Sequence, residues 1–153
     1  MNLSSLTLKL TLLLVCFSSS AFAQKKLDLT DLSGAYNGSQ EGRPEVKGMF
    51  AVTKDGAGYT MESTQQFSSK PIKYALTAVP SKDLEDVSQA WFGKSSKEIA
   101  LSCFFEEDIV LCKIDPKATF LEDKYGKNTG LFVAGVAGMN KISQLLWLTR
   151  KNL

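Results

Sequence analysis

The sequence contains no histidine, which removes the usual general base at neutral pH and the commonest ligand of transition metals. It also contains no G-x-S-x-G turn and no S-x-x-K pair, which carry the nucleophile of several hydrolase classes. The glycine-rich residues 130–141 fit neither common phosphate-binding pattern. Adjacent carboxylates occur, but adjacency in sequence is not a catalytic geometry. We therefore expect a protein that is not an enzyme and holds no cofactor and no metal.

Long hydrophobic runs are missing too, since residues 10–17 are far short of the roughly 20 residues that a membrane-spanning helix needs. This run follows a short start containing Lys9 and precedes Ala21-Phe-Ala23, which has the small-x-small form that signal peptidase accepts. The pattern predicts a signal peptide over residues 1–23 and one domain over residues 24–153, periplasmic or secreted. A permanent N-terminal anchor is the alternative. No later segment is long enough to span a membrane.

An excess of charge of one sign is also absent. The chain has 18 basic and 16 acidic residues, a net charge of +2. Lys9 is the one charged residue within the predicted signal peptide, so the mature chain carries about +1. Nucleic acid is therefore not expected as a partner, because binding phosphates requires a clustered basic surface.

What the mature sequence does contain is a series of short strand-like runs separated by turn residues. Asp55-Gly56 is a strong hairpin signal, because these residues readily adopt the positive φ angles of a tight turn. The pattern predicts an all-β fold, an antiparallel up-and-down barrel of about eight strands with one short helix. The predicted strands span residues 32–40, 46–54, 59–65, 71–79, 98–105, 109–114, 130–136 and 144–151.

The helix is predicted over residues 81–93, where Leu84, Val87 and Trp91 recur at helical spacing and Gly93 suits a C-terminal cap. It could close one end of the barrel with its apolar side chains, or it could form a lid over a ligand cavity.

Cysteine is scarce: beyond Cys16, the sequence has Cys103 and Cys112, with eight residues between them. This spacing excludes the C-x-x-C motif of thiol oxidoreductases, and two thiolates without histidine make a poor zinc site. A two-residue turn at Glu107 and Asp108 would place Cys103 opposite Cys112, where side chains approach closely enough for a cross-strand bridge. The sequence therefore predicts a structural disulfide in an exported protein.

Glu106, Glu107 and Asp108, here called the acidic turn, lie at the tip of this hairpin. They could be a solvated tip that keeps the hairpin soluble, or a rigid acidic surface that binds a basic cleft of a partner protein. A calcium loop is a weaker alternative, because the alternating oxygen ligands and the glycine of an EF-hand are missing.

The two ends of the chain resemble the calycin superfamily. Gly34-Ala-Tyr36 resembles its G-x-W opening, with tyrosine in place of tryptophan, and Trp147-Leu-Thr-Arg150 resembles its closing arginine strand. The resemblance implies an antiparallel barrel in which the arginine packs across the opening aromatic residue. Calycins include lipocalins, fatty-acid-binding proteins, avidins and small bacterial protease inhibitors, so the resemblance implies no single ligand.

The function expected from the sequence is that of an exported, non-catalytic binding protein. An apolar ligand inside the barrel would contact Phe50, Tyr74 and Trp91. The alternative is an inhibitor or immunity-type factor that binds an envelope or secreted enzyme through the acidic turn or the N-terminal arm.

Overall fold

The computed structural model describes residues 31–63, 71–138 and 140–151. The predicted signal peptide, residues 1–23, lies outside the described residues.

Eight antiparallel strands pair in sequence order, and β1 pairs with β8 to close the barrel. This confirms the predicted all-β, up-and-down architecture. The Asp55-Gly56 turn is also where the sequence predicts it: Asp55 pairs with Gly58, and Gly56 has a φ of 56°. The strands are β1 (Gly34–Ser39), β2 (Val46–Asp55), β3 (Gly58–Ser63), β4 (Ile72–Ala78), β5 (Ser102–Glu106), β6 (Ile109–Lys113), β7 (Leu131–Val136) and β8 (Ile142–Arg150).

The strand directions define two ends of the barrel. The end at which β8 finishes and β1 begins, with Arg150 and Tyr36, is called the arginine end. The opposite end contains the acidic turn between β5 and β6 and is called the acidic end.

The predicted helix is α1 (Ser81–Phe92), and Gly93 caps it in the left-handed conformation with a φ of 62°. Strand β5 begins at Ser102, later than predicted, because residues 96–100 form turns and Ala100 has a φ of 49°. A short helical segment that the sequence does not predict follows β6. It consists of a 3-10 turn (Thr119–Leu121) and α2 (Glu122–Tyr125).

The barrel interior is one apolar cluster to which all eight strands contribute, here called the interior cluster. Its twelve buried members are each at most 9% exposed, and Met61 and Leu111 are fully buried. A cavity wide enough for a water molecule would leave accessible area on the side chains around it. Met61 and Leu111 have no such area, so other atoms pack against these two side chains on all sides. The members are Leu32, Tyr36, Phe50, Val52, Tyr59, Met61, Leu76, Phe104, Leu111, Leu131, Val133 and Leu148.

A second apolar cluster, the outer cluster, covers the outside of β5–β8. Successive residues of a strand point to opposite faces, so Cys103 and Phe104 belong to different clusters. Phe92 of α1 packs edge-on against Phe132, with ring centroids 6.3 Å apart. Trp147 donates its indole N–H to the carbonyl oxygen of Tyr125 in α2 (2.8 Å). The helices therefore form a partial second layer on the barrel wall, so α1 is neither a plug nor a lid at a barrel end.

Candidate functional site at the acidic end

The hairpin of β5 and β6 has the register that the sequence predicts. Cys103 pairs with Cys112, Glu106 pairs with Ile109, and residues 107 and 108 form the turn. The two cysteines form a disulfide whose Cα atoms are 4.1 Å apart. Both belong to the outer cluster, with exposed fractions of 2% and 0%. The predicted disulfide is confirmed, and its burial keeps the sulfur atoms away from solution thiols.

The three residues of the acidic turn differ in their surroundings. Glu106 is half-buried, and its carboxylate accepts a hydrogen bond from the backbone N–H of Ala75 in β4. This bond extends the short β4–β5 pairing, which has two paired positions, Thr77 with Phe105 and Ala78 with Phe104. Glu106 therefore has a structural role at this edge of the hairpin.

Glu107 and Asp108, by contrast, are exposed. Glu107 has a φ of 50°, a left-handed conformation that L residues seldom adopt. The Asp108 carbonyl oxygen accepts a 2.7 Å hydrogen bond from the N–H of Val136 at the end of β7. The turn is thus attached to the end of β7, while its last two carboxylates remain in solvent.

Tyr74 lies near the acidic turn and is partly buried against the interior cluster. Its burial raises the pKa of the phenol, and the negative charges of Asp108 and Glu106 raise it further. The structure thus brings one residue of the expected ligand site to the same end of the barrel as the acidic turn.

The three residues expected to contact an apolar ligand do not share one cavity. Phe50 is 4% exposed within the interior cluster, and Tyr74 packs against that cluster. Trp91 packs against the outer cluster, on the other side of the barrel wall. The physical reason is that the outer faces of β5–β8 are as apolar as their inner faces, and α1 covers them.

At the arginine end, Arg150 lies over Tyr36 with its guanidinium carbon 5.9 Å from the ring centroid. Its Nη2 atom donates to the carbonyl oxygens of Ser33 (2.7 Å) and Asp31 (3.0 Å). Tyr36 in turn donates its hydroxyl to the carbonyl oxygen of Leu32 (2.7 Å). Arg150 of the last strand therefore packs against Tyr36 of the first strand. A surface groove of about 450 Å³ lies beside them.

Glu85 joins α1 to the loop that follows it. Its carboxylate accepts hydrogen bonds from the hydroxyl (2.5 Å) and the backbone N–H (2.9 Å) of Ser96. Ser95 adds a third, longer bond of 3.2 Å. The bonds from Ser96 are the main cause that lowers the pKa of Glu85 below its ordinary value. The Glu85 carboxylate therefore has a structural role, which is to link α1 to residues 95 and 96 of the following loop.

One feature that the sequence reasoning missed is a groove between α1 and the barrel wall, with a volume of about 300 Å³. Asp83 and Asp86 line it, together with Phe105 and Asn140. Two aspartates three residues apart on a helix share one face, which is a signal that the sequence does carry.

Within residues 31–63, 71–138 and 140–151, no group of three or more cysteine, aspartate or glutamate side chains is arranged to hold a metal ion. In the same ranges, no helix has both the length and the apolar character needed to cross a membrane. Comparisons with protein-family models, with curated proteins and with solved structures each found no match.

Proposed function

We propose that this chain is an exported, non-catalytic binding protein that acts on a protein partner through the acidic end of its barrel. The observation that carries the proposal is the packing of the interior cluster, in which Met61 and Leu111 are 0% exposed. An apolar ligand of ordinary size needs a cavity of roughly 300 Å³ or more around it. No cavity of that kind borders these two side chains, and we infer that binding falls to the outer surfaces.

The acidic turn is the part of that surface best suited to a partner. A two-residue turn on a hairpin with a cross-strand disulfide has little freedom to lose when a partner orders it. Glu107 and Asp108 give it an exposed negative charge that attracts a basic cleft and raises the rate of encounter. Glu106 stays with the fold, through its bond to Ala75.

The disulfide is compatible with a location outside the cytoplasm, and it accords with the signal peptide expected over residues 1–23. The stacking of Arg150 on Tyr36 supports a relationship to the calycins, which include ligand carriers as well as protease inhibitors. The packed interior favours the inhibitor type over the carrier type. We therefore infer that the partner is an enzyme of the envelope or the external medium.

The proposal is tested by capture. The immobilised mature chain is incubated with the secreted and envelope fractions of the source cells, beside the single variants Glu107→Lys and Asp108→Lys. Asp123→Lys on α2 is the matched control, because it makes the same charge change at an exposed residue away from the acidic end. We expect a protein retained by the wild type and by Asp123→Lys, and lost from both turn variants. Equal retention by all four proteins would reject the acidic turn as the binding site for the partner.

A further inference from the structure

The groove between α1 and the barrel wall has an apolar floor and an acidic rim. Val79 and Val87 are buried at its base, and the half-buried ring of Phe105 forms one side. Asp83 and Asp86 line it from exposed positions on α1. The groove can therefore receive a group that is apolar along its length and positively charged at one end.

The two carboxylates have no positive partner in the described part of the chain. The ion pairs there join Lys73 to Glu62 and Lys94 to Glu98, and neither involves the groove. Lys82 and Lys141 are sequence neighbours of lining residues, but neither lines the groove. Its negative charge is thus available to a cation that comes from outside.

The groove adjoins the acidic turn. Phe105 immediately precedes Glu106 in β5, and Asn140 lies in the β7–β8 connection. Val136, just before that connection, donates its N–H to the Asp108 carbonyl oxygen. A partner that contacts Glu107 and Asp108 therefore stands next to the groove.

We propose that the groove receives an arginine side chain of the protein partner, an inference that rests on the proposed function. Asp83 and Asp86 lie on one face of α1, and the planar guanidinium has donors on both sides to reach two carboxylates. The methylene stem lies on Val79 and Val87, and the Phe105 ring adds a cation–π contact. The N-terminus of α1 repels a cation, and the negative charges of the two carboxylates offset this repulsion.

The test uses the isotope-labelled mature chain and nuclear magnetic resonance. The probe is the blocked peptide acetyl-Ala-Arg-Ala-amide, and its control is the same peptide with citrulline, which has the shape of arginine without its charge. We expect saturable shifts at the backbone amides of Val87, Phe105 and Asn140 with the arginine peptide. The double variant Asp83→Asn, Asp86→Asn should weaken binding about five- to tenfold, and Asp123→Asn should leave it unchanged.

Equal binding of the citrulline peptide, shifts centred away from the groove, or full binding by the double variant would each overturn the inference. The outcome is separable from that of the capture experiment. Capture that depends on Glu107 and Asp108, without arginine binding in the groove, would reject this inference alone. Arginine binding in the groove, with capture unaffected by the turn variants, would reject the role of the turn and retain the groove.

Discussion

The guanidinium of Arg150 lies over the ring of Tyr36, its backbone partner across the β1–β8 pairing that closes the barrel. The same guanidinium donates to the carbonyl oxygens of Asp31 and Ser33, just before β1. One side chain of the last strand thus fixes the segment that leads into the first. This relationship ties the two ends of the described chain together.

Replacing Arg150 with alanine should therefore destabilise the fold. Two carbonyl oxygens lose a charged donor and Tyr36 loses its cover, so we expect the free energy of unfolding to fall by about 1–2 kcal/mol. Urea denaturation followed by tryptophan fluorescence measures this. Lys151→Ala, an exposed neighbour, is the control and should change stability by less than about 0.5 kcal/mol. An equal effect of the two substitutions would contradict the role of Arg150.

The packed interior predicts a large cost for removing side-chain volume at its centre. Leu111→Ala should lower the free energy of unfolding by about 2–5 kcal/mol, because removing this fully buried side chain leaves a cavity that its tightly packed neighbours cannot fill. Ile72→Ala, at a position 39% exposed, should cost less than about 1 kcal/mol. A small effect at Leu111 would mean that the interior is loosely packed and can accommodate a ligand.

The disulfide should stabilise the domain and resist reduction while the domain is folded. The double variant Cys103→Ala, Cys112→Ala should be less stable by about 2–3 kcal/mol, because the unfolded chain gains the freedom of a short loop. A thiol-trapping assay after incubation with a reductant checks the burial. We expect the reductant to release free thiols in urea and not in the native protein. Rapid reduction of the native protein would contradict the burial of the disulfide in the outer cluster.

Stability should also depend on the ionisation of Glu85. Hydrogen bonds from Ser96 lower its folded-state pKa, so its contribution is fully present above its ordinary pKa of 4.5 and is lost as the pH falls below that value. Glu85→Gln should therefore be less stable than the wild type at pH 7, with the difference shrinking towards pH 3.

Hydrogen bonds from Ser33 also lower the pKa of Asp31. The Glu85→Gln variant should therefore still lose some stability as the pH falls. Denaturation midpoints measured between pH 3 and 7 test this prediction, with Asp123→Asn as the control. If the stability difference between the wild type and Glu85→Gln does not change with pH, the ionised Glu85 carboxylate does not gain stability from the Ser96 donors.

The sequence predicted the register of the β5–β6 hairpin because two local signals agreed, although β5 begins later than predicted. The spacing of Cys103 and Cys112 and the two-residue turn at Glu107 and Asp108 led to one register, which the structure has. The end of helix α1 was predicted in the same way, from Gly93, which caps it. Local chemistry was sufficient for these elements.

The position of α1 could not be predicted, because both faces of β5–β8 are apolar. Alternation identifies the face on which a side chain lies, but it does not tell which face points into the barrel. Phe104 and Leu111 proved to face inward, whereas Trp91 packs on the outside. The expected ligand site combined residues from both sides of the wall for this reason. The groove at Asp83 and Asp86 depends on the same packing of α1, so it too required the structure.

The most direct measurement of the central claim is the binding kinetics of the captured partner with the wild type, Glu107→Lys, Asp108→Lys and Asp123→Lys over a range of salt concentrations. The account predicts that each turn variant lowers the association rate constant about tenfold and flattens its dependence on salt, because exposed charges at an interface act mainly on encounter. Asp123→Lys should match the wild type. Rate constants and salt dependence unchanged in both turn variants would show that the partner binds elsewhere, and would contradict the account.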